Sequence, residues 1–555
     1  YKSIIDGKEI HFTKCPVDLF QNINFKEPGI YLLEETLCAH HEQFNCSTLT
    51  LLTMWYLWFE EFKAAIEQGC EIADIIYYSQ ESLEHIISLL PNVTINLEEM
   101  LFLKKETAVN KHENIKNTKN SVALRKIALN ASAKKTSILN TRPNSCMPVG
   151  IRYSSRHFSP SVCNEENFEP EIENETKTKF SEYNLSLESM KIVVHKLSHG
   201  DADLAKLICD VWVQQASNEN IKFRVDGIIT CPLMLPCSYS SVVEGLIIKS
   251  NFNSMLEGNF NYVANTKTLI IKASIVFEYT HLGFSPKVSV ISKKRSDSLV
   301  SEKEKWVKKC SDKLSELQVN VLLVKGEVDS AISSMCSTNN ILLLSEIPWK
   351  ALKALCKATD TYPCTYLLDC DKKSITENII VKKWSLDHQI CEKYCHISVT
   401  HKQNANLYTL VLCHPNPAIL YSLEHQLWHL VYRLQHATEE NKVLPGGGKT
   451  EEWCYVSLQK LVLGAENSNR VILALANGFQ NFQKMLMDKT FTYDSEGLDD
   501  ISSKVQAWKS ALALAHIMLQ CDSILINGHE DTKELNVLMF LSSYFKFQVR
   551  LFATE

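Results

Sequence analysis

The chain's one glycine-rich loop reads Leu444-Pro445-Gly446-Gly447-Gly448-Lys449-Thr450-Glu451. Glycines at the mouth of a helix let backbone N–H groups approach a phosphate at the positive end of the helix dipole. The cluster stands out because only 17 of 555 residues are glycine, under half of the usual ~7%. Gly448-Lys449-Thr450 invites comparison with the phosphate loop of nucleotide hydrolases, and the comparison fails twice. That motif needs a glycine five positions before Gly448, where Val443 stands, and a strand ahead of the loop, where the pattern predicts a helix. A tight helix–helix turn that holds no ligand is the plain alternative.

Other reactive residue types carry less. His388, Cys391, Cys395 and His396 offer zinc-type donors, but their spacing fits no standard finger and no second cysteine pair follows at a suitable distance. Chance clustering among 19 cysteines and 18 histidines accounts for them, and no metal site is expected. His40-His41 and the His425/His429 pair are expected on the surface or on helix faces. No G-x-S-x-G nucleophile signature occurs.

The elements that must position these residues change along the chain. Residues 24–103 carry apolar clusters at helical spacing, at 30–33, 49–59 and 86–90. A polar tract at about 136–186 holds Pro143, Pro148, Pro160 and Pro170. Charge is segregated around it, with twelve Lys/Arg against two Glu in 104–157 and seven Glu against two Lys in 158–182. Such segregation marks a solvated insertion, and the basic 104–135 stretch a solvated helix face rather than a nucleic-acid site. Between 243 and 377 short apolar runs at 246–248, 269–277, 319–324, 341–344 and 366–368 alternate with helix-like segments at 328–336 and 349–357, the pattern of an α/β unit. Residues 408–412 read as one more strand. Helices return from Ser422, with Leu423, Leu427, Leu430 and Leu434 on one stripe and Val505, Trp508, Leu512, Ala515 and Leu519 on another.

A chain of 555 residues allows about three or four domains at roughly 150 residues each. The 45% apolar and 22% charged content is that of a packed protein, and 58 basic against 64 acidic residues leave a net charge of −6 with no field that calls for nucleic acid. The longest apolar run, 49–59, falls short of the ~20 residues of a membrane span. No signal peptide is legible, and 19 cysteines without a repeating framework read as reduced thiols of a cytoplasmic protein. The chain opens at Tyr1, and residues ahead of it are expected in the natural protein.

The motifs, taken in order, resemble the type II chaperonin superfamily. Glu424, His429-Leu430, Val443 through Gly448 and Glu451 look like the family's E-R-S-x-H-D-A helix followed by V-x-P-G-G-G-A-x-E. Leu124-Arg125-Lys126-Ile127-Ala128-Leu129 is similar to L-x-x-I-A-x. Leu204-Ala205-Lys206-Leu207-Ile208 resembles the helix leading into the intermediate domain, and Asp226-Gly227-Ile228-Ile229 the D-G-V-V start of the apical domain. Val319-Asn320-Val321-Leu322-Leu323 resembles an apical strand. Ala507-Trp508-Lys509-Ser510-Ala511 through Asp522-Ser523-Ile524 resembles the last helix. Ser155-Arg156-His157-Phe158, Leu197-Ser198-His199-Gly200-Asp201 and His281-Leu282-Gly283-Phe284 bring the chain closest to the vertebrate chaperonin-like Bardet–Biedl syndrome proteins.

The resemblance implies an α+β multidomain, chaperonin-like fold: a helical equatorial domain from both termini, a small intermediate domain and an α/β apical domain. The expected segments are 1–137 equatorial, 138–224 intermediate with the polar insertion, 225–377 apical, 378–441 intermediate and 442–555 equatorial. It also implies where nucleotide chemistry would sit. ATP hydrolysis needs carboxylates to hold Mg²⁺ and to position water. The family's G-D-G-T-T falls on Phe44-Asn45-Cys46-Ser47-Thr48, T-N-D-G on Thr13-Lys14-Cys15-Pro16, and the acid of H-D-A on His429. Asn45, Cys15 and His429 therefore replace three acids, and Phe44 and Cys46 fill glycine positions. Ser47, Thr48, Gly446, Gly447 and Gly448 are the vestigial nucleotide-binding set. No catalytic residue, no bound ATP or Mg²⁺ and no metal is expected. Cys413-His414 also replace the family's Arg-Gly at the hinge strand.

By the same resemblance the partners are other Bardet–Biedl chaperonin-like subunits and the TRiC/CCT chaperonin, with subunits of the BBSome, a ciliary trafficking coat, as clients. The place would be the cytoplasm, the basal body and the base of the cilium. The apical segment is the expected client surface, and equatorial faces around 49–59 are the expected subunit contacts. An active ATP-dependent folding subunit is the alternative reading.

Overall fold

The computed structural model describes residues 2–103, 184–216, 222–277, 296–399 and 407–521, apart from 7–8, 14, 23–27, 186, 250, 253–261, 387–388, 463–465 and 488–496. The motifs at 124–129, 155–158, 281–284 and 522–524, the basic 104–135 stretch and nearly all of the 136–186 tract lie outside the described residues. Tyr1–Leu103 and Leu185–Glu555 form one compact unit.

The chain runs out and back. An antiparallel strand pair, Lys2–Asp6 with Glu9–Thr13, leads into helices α1 (Pro16–Asn22), α2 (Pro28–Phe44), α3 (Thr48–Glu67), α4 (Ile72–Leu89) and α5 (Leu97–Leu101). After α6 (Leu187–Leu197) and α7 (Ala202–Gln215) comes a sheet-rich region with α8 (Ser296–Glu316), α9 (Ser330–Thr338) and α10 (Trp349–Thr359). The long α11 (Pro417–Glu440) returns the chain to α12 (Lys449–Gln459), α13 (Glu466–Met487) and α14 (Ile501–Leu519).

The two ends of this path share one core. Residues of α2 to α4 pack with residues of α12 to α14, from Leu33, Trp55 and Phe62 to Leu475, Phe479 and Trp508. α3 is apolar on nearly every face, as a helix must be when neighbours surround it. Leu51, Leu52, Met54, Trp55, Leu57, Trp58 and Phe59 are all buried in this core. The expectation that residues 49–59 contact a neighbouring subunit is therefore corrected: they are interior, and only Leu49 among them is exposed. The stripe Trp508, Leu512, Ala515 and Leu519 faces the same interior.

A second core joins α5, α6, α7 and α11 to a three-stranded sheet, in which Tyr408–Cys413 runs parallel to Ile228–Leu233 and antiparallel to Ser241–Glu244. The third region is a seven-stranded mixed sheet, ordered Leu246–Lys249, Gln389–Val399, Ile375–Leu386, Tyr262–Ile271, Val321–Val324, Leu342–Ser345 and Asn251–Phe252. Its central strands are apolar on both faces because both faces are covered. Ile270, Leu323 and Leu344 pack with Leu352 and Leu355 of α10. Their neighbours Leu269, Leu322 and Leu343 pack with Leu314 of α8 and Ile332 of α9.

Four local expectations change. The strand at 269–277 ends at Ile271, and Ile275 makes only an isolated bridge to Val328. Residues 366–368 form no strand but a 3-10 turn at Leu367–Asp369 with Leu367 in the core. The large sheet runs past the expected limit at 377, because Ile379, Val381, Cys395 and Ile397 face inward along the Ile375–Leu386 and Gln389–Val399 hairpin. Strand Ile228–Leu233, expected in the apical segment, belongs to the small sheet instead. Among the described residues no helix is long and apolar enough to cross a membrane.

One helix contact reports the tightness of the shared core. The Trp58 indole donates to the Leu475 carbonyl at 3.1 Å, and its ring meets Phe479 edge-on at 5.3 Å. A Cβ on Gly478 would lie 2.2 Å from Trp58 Cδ1. Helix propensity alone favours Gly478→Ala by about 1 kcal/mol, but overpacking costs typically ~1–3 kcal/mol. Gly478→Ala is expected to lower the urea midpoint; a raised midpoint would contradict this packing.

Candidate functional site

The positions singled out by the motifs gather where the returning chain meets the outgoing one. Helix α11 ends at Asn441 in the left-handed conformation (φ 54°). A short strand, Lys442–Pro445, then leads into the glycine loop, with Val443 and Leu444 buried. The expectation of a helix directly ahead of the loop is thus corrected, and the reason is the Asn441 reversal, which frees Val443 to pair with Asp500. The phosphate-loop comparison still fails, because Val443 occupies the required glycine position and the strand pairs only antiparallel.

The glycines have packing roles that involve no phosphate. Gly446 N–H donates to the Gly497 carbonyl at 2.8 Å, and a Cβ on Gly446 would meet Gly497 C at the same 2.8 Å. Gly447 and Gly448 both have positive φ, 65° and 80°. A Cβ on Gly448 would also press on Gln483 Cγ at 3.1 Å. The Thr450 hydroxyl donates back to Pro445 O at 2.6 Å and closes the turn.

Behind the loop lies a buried ion network that the sequence patterns did not single out. Lys504 Nζ sits 2.7 Å from Glu451 Oε1 and 2.7 Å from Asp499 Oδ2, with Glu451 fully buried. His199 Nε2 adds a contact to Asp499 at 3.0 Å. Burial works against the charge on Asp499, but Lys504 and His199 outweigh it and hold the carboxyl well below the usual range. Burial likewise opposes the Lys504 charge, and Asp499 with Glu451 holds the ammonium above its ordinary value. Glu451 was visible as the last residue of the glycine motif; the Asp499-Asp500 pair just ahead of α14 was the available signal for the rest.

The loop between α2 and α3 meets the same segment from the other side. Asn45 and Ser47 both adopt positive φ, 54° and 62°, a strained choice for residues other than glycine. The Ser47 hydroxyl lies 2.8 Å from that of Ser503. Cys46 is fully buried, its sulfur 3.9 Å from His436 Nδ1 and 4.0 Å from Asp500 Oδ1. Burial, with Asp500 beside it, pushes the thiol above its ordinary value. Asp500 accepts the Ser503 N–H at 3.0 Å as the cap of α14, and meets His436 Nδ1 at 3.3 Å. Phe44 fills space here as a side chain, edge-on to His436 at 5.8 Å.

Cys15, Thr48 and His429 belong to an adjoining group. Thr48 is buried and bonds Cys15, whose thiol is raised by burial and by Asp18. Asp18 in turn lies 3.5 Å from His425 Nε2. The His41 and His429 rings are 6.3 Å apart. His429 lines a cavity of about 90 Å³ with Ser198, Asp201, Gln426 and Arg433. That volume is well short of the ~300–1,000 Å³ of small-molecule ligand pockets. Burial, then the nearby Arg433, lowers His429 to about 3. His40, expected on a surface, is buried with Nε2 3.1 Å from the Cys46 carbonyl, and burial lowers it to about 4.

Thus Ser47 and Gly446 both meet the 497–503 segment, while Cys15, Thr48 and His429 lie on the Asp18 and α11 side. The carboxylates nearby are engaged: Glu451 and Asp499 by Lys504, Asp500 by the helix cap and His436, Asp18 by His425. Of the residues weighed as zinc donors, Cys395 is buried and His396 Nε2 lies 2.7 Å from the Glu244 carbonyl, on opposite faces of one strand.

The TCP-1/cpn60 chaperonin family pattern matches residues 172–490, more than half of the chain, and the chain belongs to that family. A group III chaperonin in the open state shares the fold with a TM-score of 0.58 at 11% identity, over 94% of this chain and 93% of the other. Curated relatives named chaperonin-containing T-complex member BBS12 align from Mus musculus (24% identical, 62% of this chain and 61% of the relative) and from Xenopus laevis (22%, 84% and 73%). The human protein of that name is 24% identical over 72% of this chain and 69% of its own length. The chain thus spans about three-fifths of the mouse relative. The fold is the expected α+β multidomain, chaperonin-like one.

Two stability measurements follow from the site. Removing the ammonium with Lys504→Met leaves two carboxylates facing an empty position, and breaking a buried pair costs ~3–5 kcal/mol. The loss is expected to be full at neutral pH and to shrink as the medium is acidified and the unpaired Asp499 takes up a proton; a variant within about 1 kcal/mol of wild type at pH 7 would refute the network. Secondly, His40, His429 and His516 are held by burial at about 4, 3 and 4, below the ~6.5 of an unfolded chain. Their contribution is present above about pH 6.5 and lost as pH falls, at ~1.4 kcal/mol per pH unit for each. Urea midpoints should fall between pH 6.5 and 5 and His429→Leu should flatten the slope; a level profile would contradict these burials.

Proposed function

We propose that this chain is a chaperonin-like subunit that does not hydrolyse ATP and acts by binding. The observation that carries the reading is the loss of charge at three places. The residues aligned with the family's acids are an amide, Asn45, a thiol, Cys15, and an imidazole held neutral by burial, His429. Mg²⁺ requires hard oxygen ligands in near-octahedral geometry, and none of the three supplies an anionic oxygen. The carboxylates that remain nearby, Asp18, Glu451, Asp499 and Asp500, are paired within the protein. The buried Cys46 and the Phe44 ring fill volume where a backbone approach would be needed. The residues present do not fit Mg-ATP.

The names of the relatives support a role among chaperonin-containing complexes. In this reading the chain works beside other Bardet–Biedl chaperonin-like subunits and the TRiC/CCT chaperonin and assists assembly of the BBSome, in the cytoplasm and at the basal body. The seven-stranded sheet region is the surface offered to clients.

The purified chain is expected to release phosphate from Mg-ATP no faster than a blank, with Asn45→Ala and His429→Ala indistinguishable from wild type. Turnover above the blank that either substitution abolishes would overturn the reading in favour of an active folding subunit. Affinity capture of the chain from ciliated cells should recover chaperonin-like subunits and TRiC; recovery of neither would remove the assembly half of the proposal.

A further inference from the structure

Cys46, His436 and Asp500 come from three elements far apart in sequence, the α2–α3 loop, α11 and the start of α14, and converge on one point. One donor atom from each lies within 4.8 Å of the other two. The sulfur is 3.9 Å from His436 Nδ1 and 4.0 Å from one Asp500 oxygen, and His436 Nδ1 is 3.3 Å from the other. Around a tetrahedral zinc ion with bonds of ~2.0–2.3 Å, donor atoms stand about 3.4–3.6 Å apart. With one Asp500 oxygen as the ligand, the three donor atoms lie within 4.8 Å of one another, so the side chains close by at most about an ångström to hold such an ion. We propose that they form a zinc site which clamps the α2–α3 loop to α11 and α14.

Charge and surroundings favour this occupant. A thiolate, a carboxylate and a neutral imidazole sum to −2, which balances a divalent cation in an interior where Cys46 and Asp500 are 0% and 1% exposed. A sulfur, nitrogen and oxygen set suits zinc, whereas Mg²⁺ and Ca²⁺ take oxygen alone. The His436 side chain, 13% exposed, leaves a route of access. The outer contacts hold the donors in place: Ser503 N–H fixes Asp500, His40 Nε2 meets the Cys46 carbonyl, and Phe44 packs on the His436 ring. Three protein ligands leave a fourth position for water or for the Ser47 and Ser503 hydroxyls, 2.8 Å apart. On binding, the Cys46 S–H proton passes to solvent and the sulfur electron pair goes to the ion. Cys46 and His436 were not among the zinc donors weighed in the sequence, because their separation of 390 residues has no spacing signature.

The test uses the full chain, stripped with chelator, reloaded with zinc and desalted, with metal measured by mass spectrometry. About one zinc per chain is expected, lost in Cys46→Ala and in His436→Ala and kept in Cys15→Ala, which disrupts the neighbouring Cys15, Asp18 and His425 group. Cobalt loading gives a readout that does not depend on variants folding: wild type should show a thiolate-to-cobalt charge-transfer band, and X-ray absorption on the zinc form one sulfur with nitrogen and oxygen neighbours. A folded wild type that retains no zinc, zinc bound without sulfur, or binding lost only in Cys15→Ala would each overturn the proposal.

Discussion

Among the described residues, one buried cation, the Lys504 ammonium, ties the start of α12 to the start of α14 at the junction. Lys504 projects from α14 into an interior where an unpaired ammonium is untenable, so Glu451 at the start of α12 and Asp499 ahead of α14 must both reach it. The antiparallel pairing of Lys442–Pro445 with Leu498–Asp500 sets the distance between the glycine loop and that strand. It places Asp500, one residue beyond Asp499, where it caps α14 and faces Cys46 and His436. The close approach of Gly446 to Gly497 follows from the same pairing. The glycine triple is thus maintained by backbone packing, with no anion needed to account for it.

The out-and-back path gives this junction its leverage. The residues that close on Lys504 belong to the returning half of the chain, while Cys46 and Ser47 belong to the outgoing half, and the shared core of Trp58, Phe479 and Trp508 holds the halves together. α11 spans from this junction to the sheet-rich region, where the Lys350 ammonium lies 3.2 Å over the Trp428 ring and Thr230 bonds Glu424. One helix therefore carries His429, beside the other aligned acid positions, and also meets α10 and the small three-stranded sheet. The inward-facing pair Leu430 and Leu434 anchors its middle in the second core.

Much of this fold was legible in the sequence where burial writes a period. The helices α2 to α4, α11 and α14 fall in the stretches read as helical, 24–103 and from Ser422 onward, and the strands Leu246–Lys249, Val321–Val324, Leu342–Ser345 and Tyr408–Cys413 were anticipated to within a few residues. The hairpin Ile375–Leu386 with Gln389–Val399 was missed because Lys382, Lys383 and Glu392 interrupt its apolar alternation and mask the inward face. Residues 366–368 look like a strand by composition, yet they make a turn that buries only Leu367. The site was half visible. Short motifs marked Asn45, Cys15, His429 and the glycines, but ion pairs between distant residues, such as Lys504 with Glu451 or Asp500 with His436, leave no trace in local spacing. The run 49–59 shows the complementary error: an apolar stretch read as an outward face is the centre of the core.

The proposed reading depends on one physical statement, that the junction has exchanged anionic oxygens for a thiol, an amide and an imidazole and has filled the adjoining space. Its most direct test is an experimental structure of the full chain with magnesium and a slowly hydrolysed ATP analogue at saturating concentration. The account predicts no nucleotide or magnesium density against Gly446, Gly447, Gly448, Ser47 and Thr48, with the Cys46 and Phe44 side chains where they stand now. Ordered triphosphate at those residues, with magnesium held by protein oxygens, would contradict it.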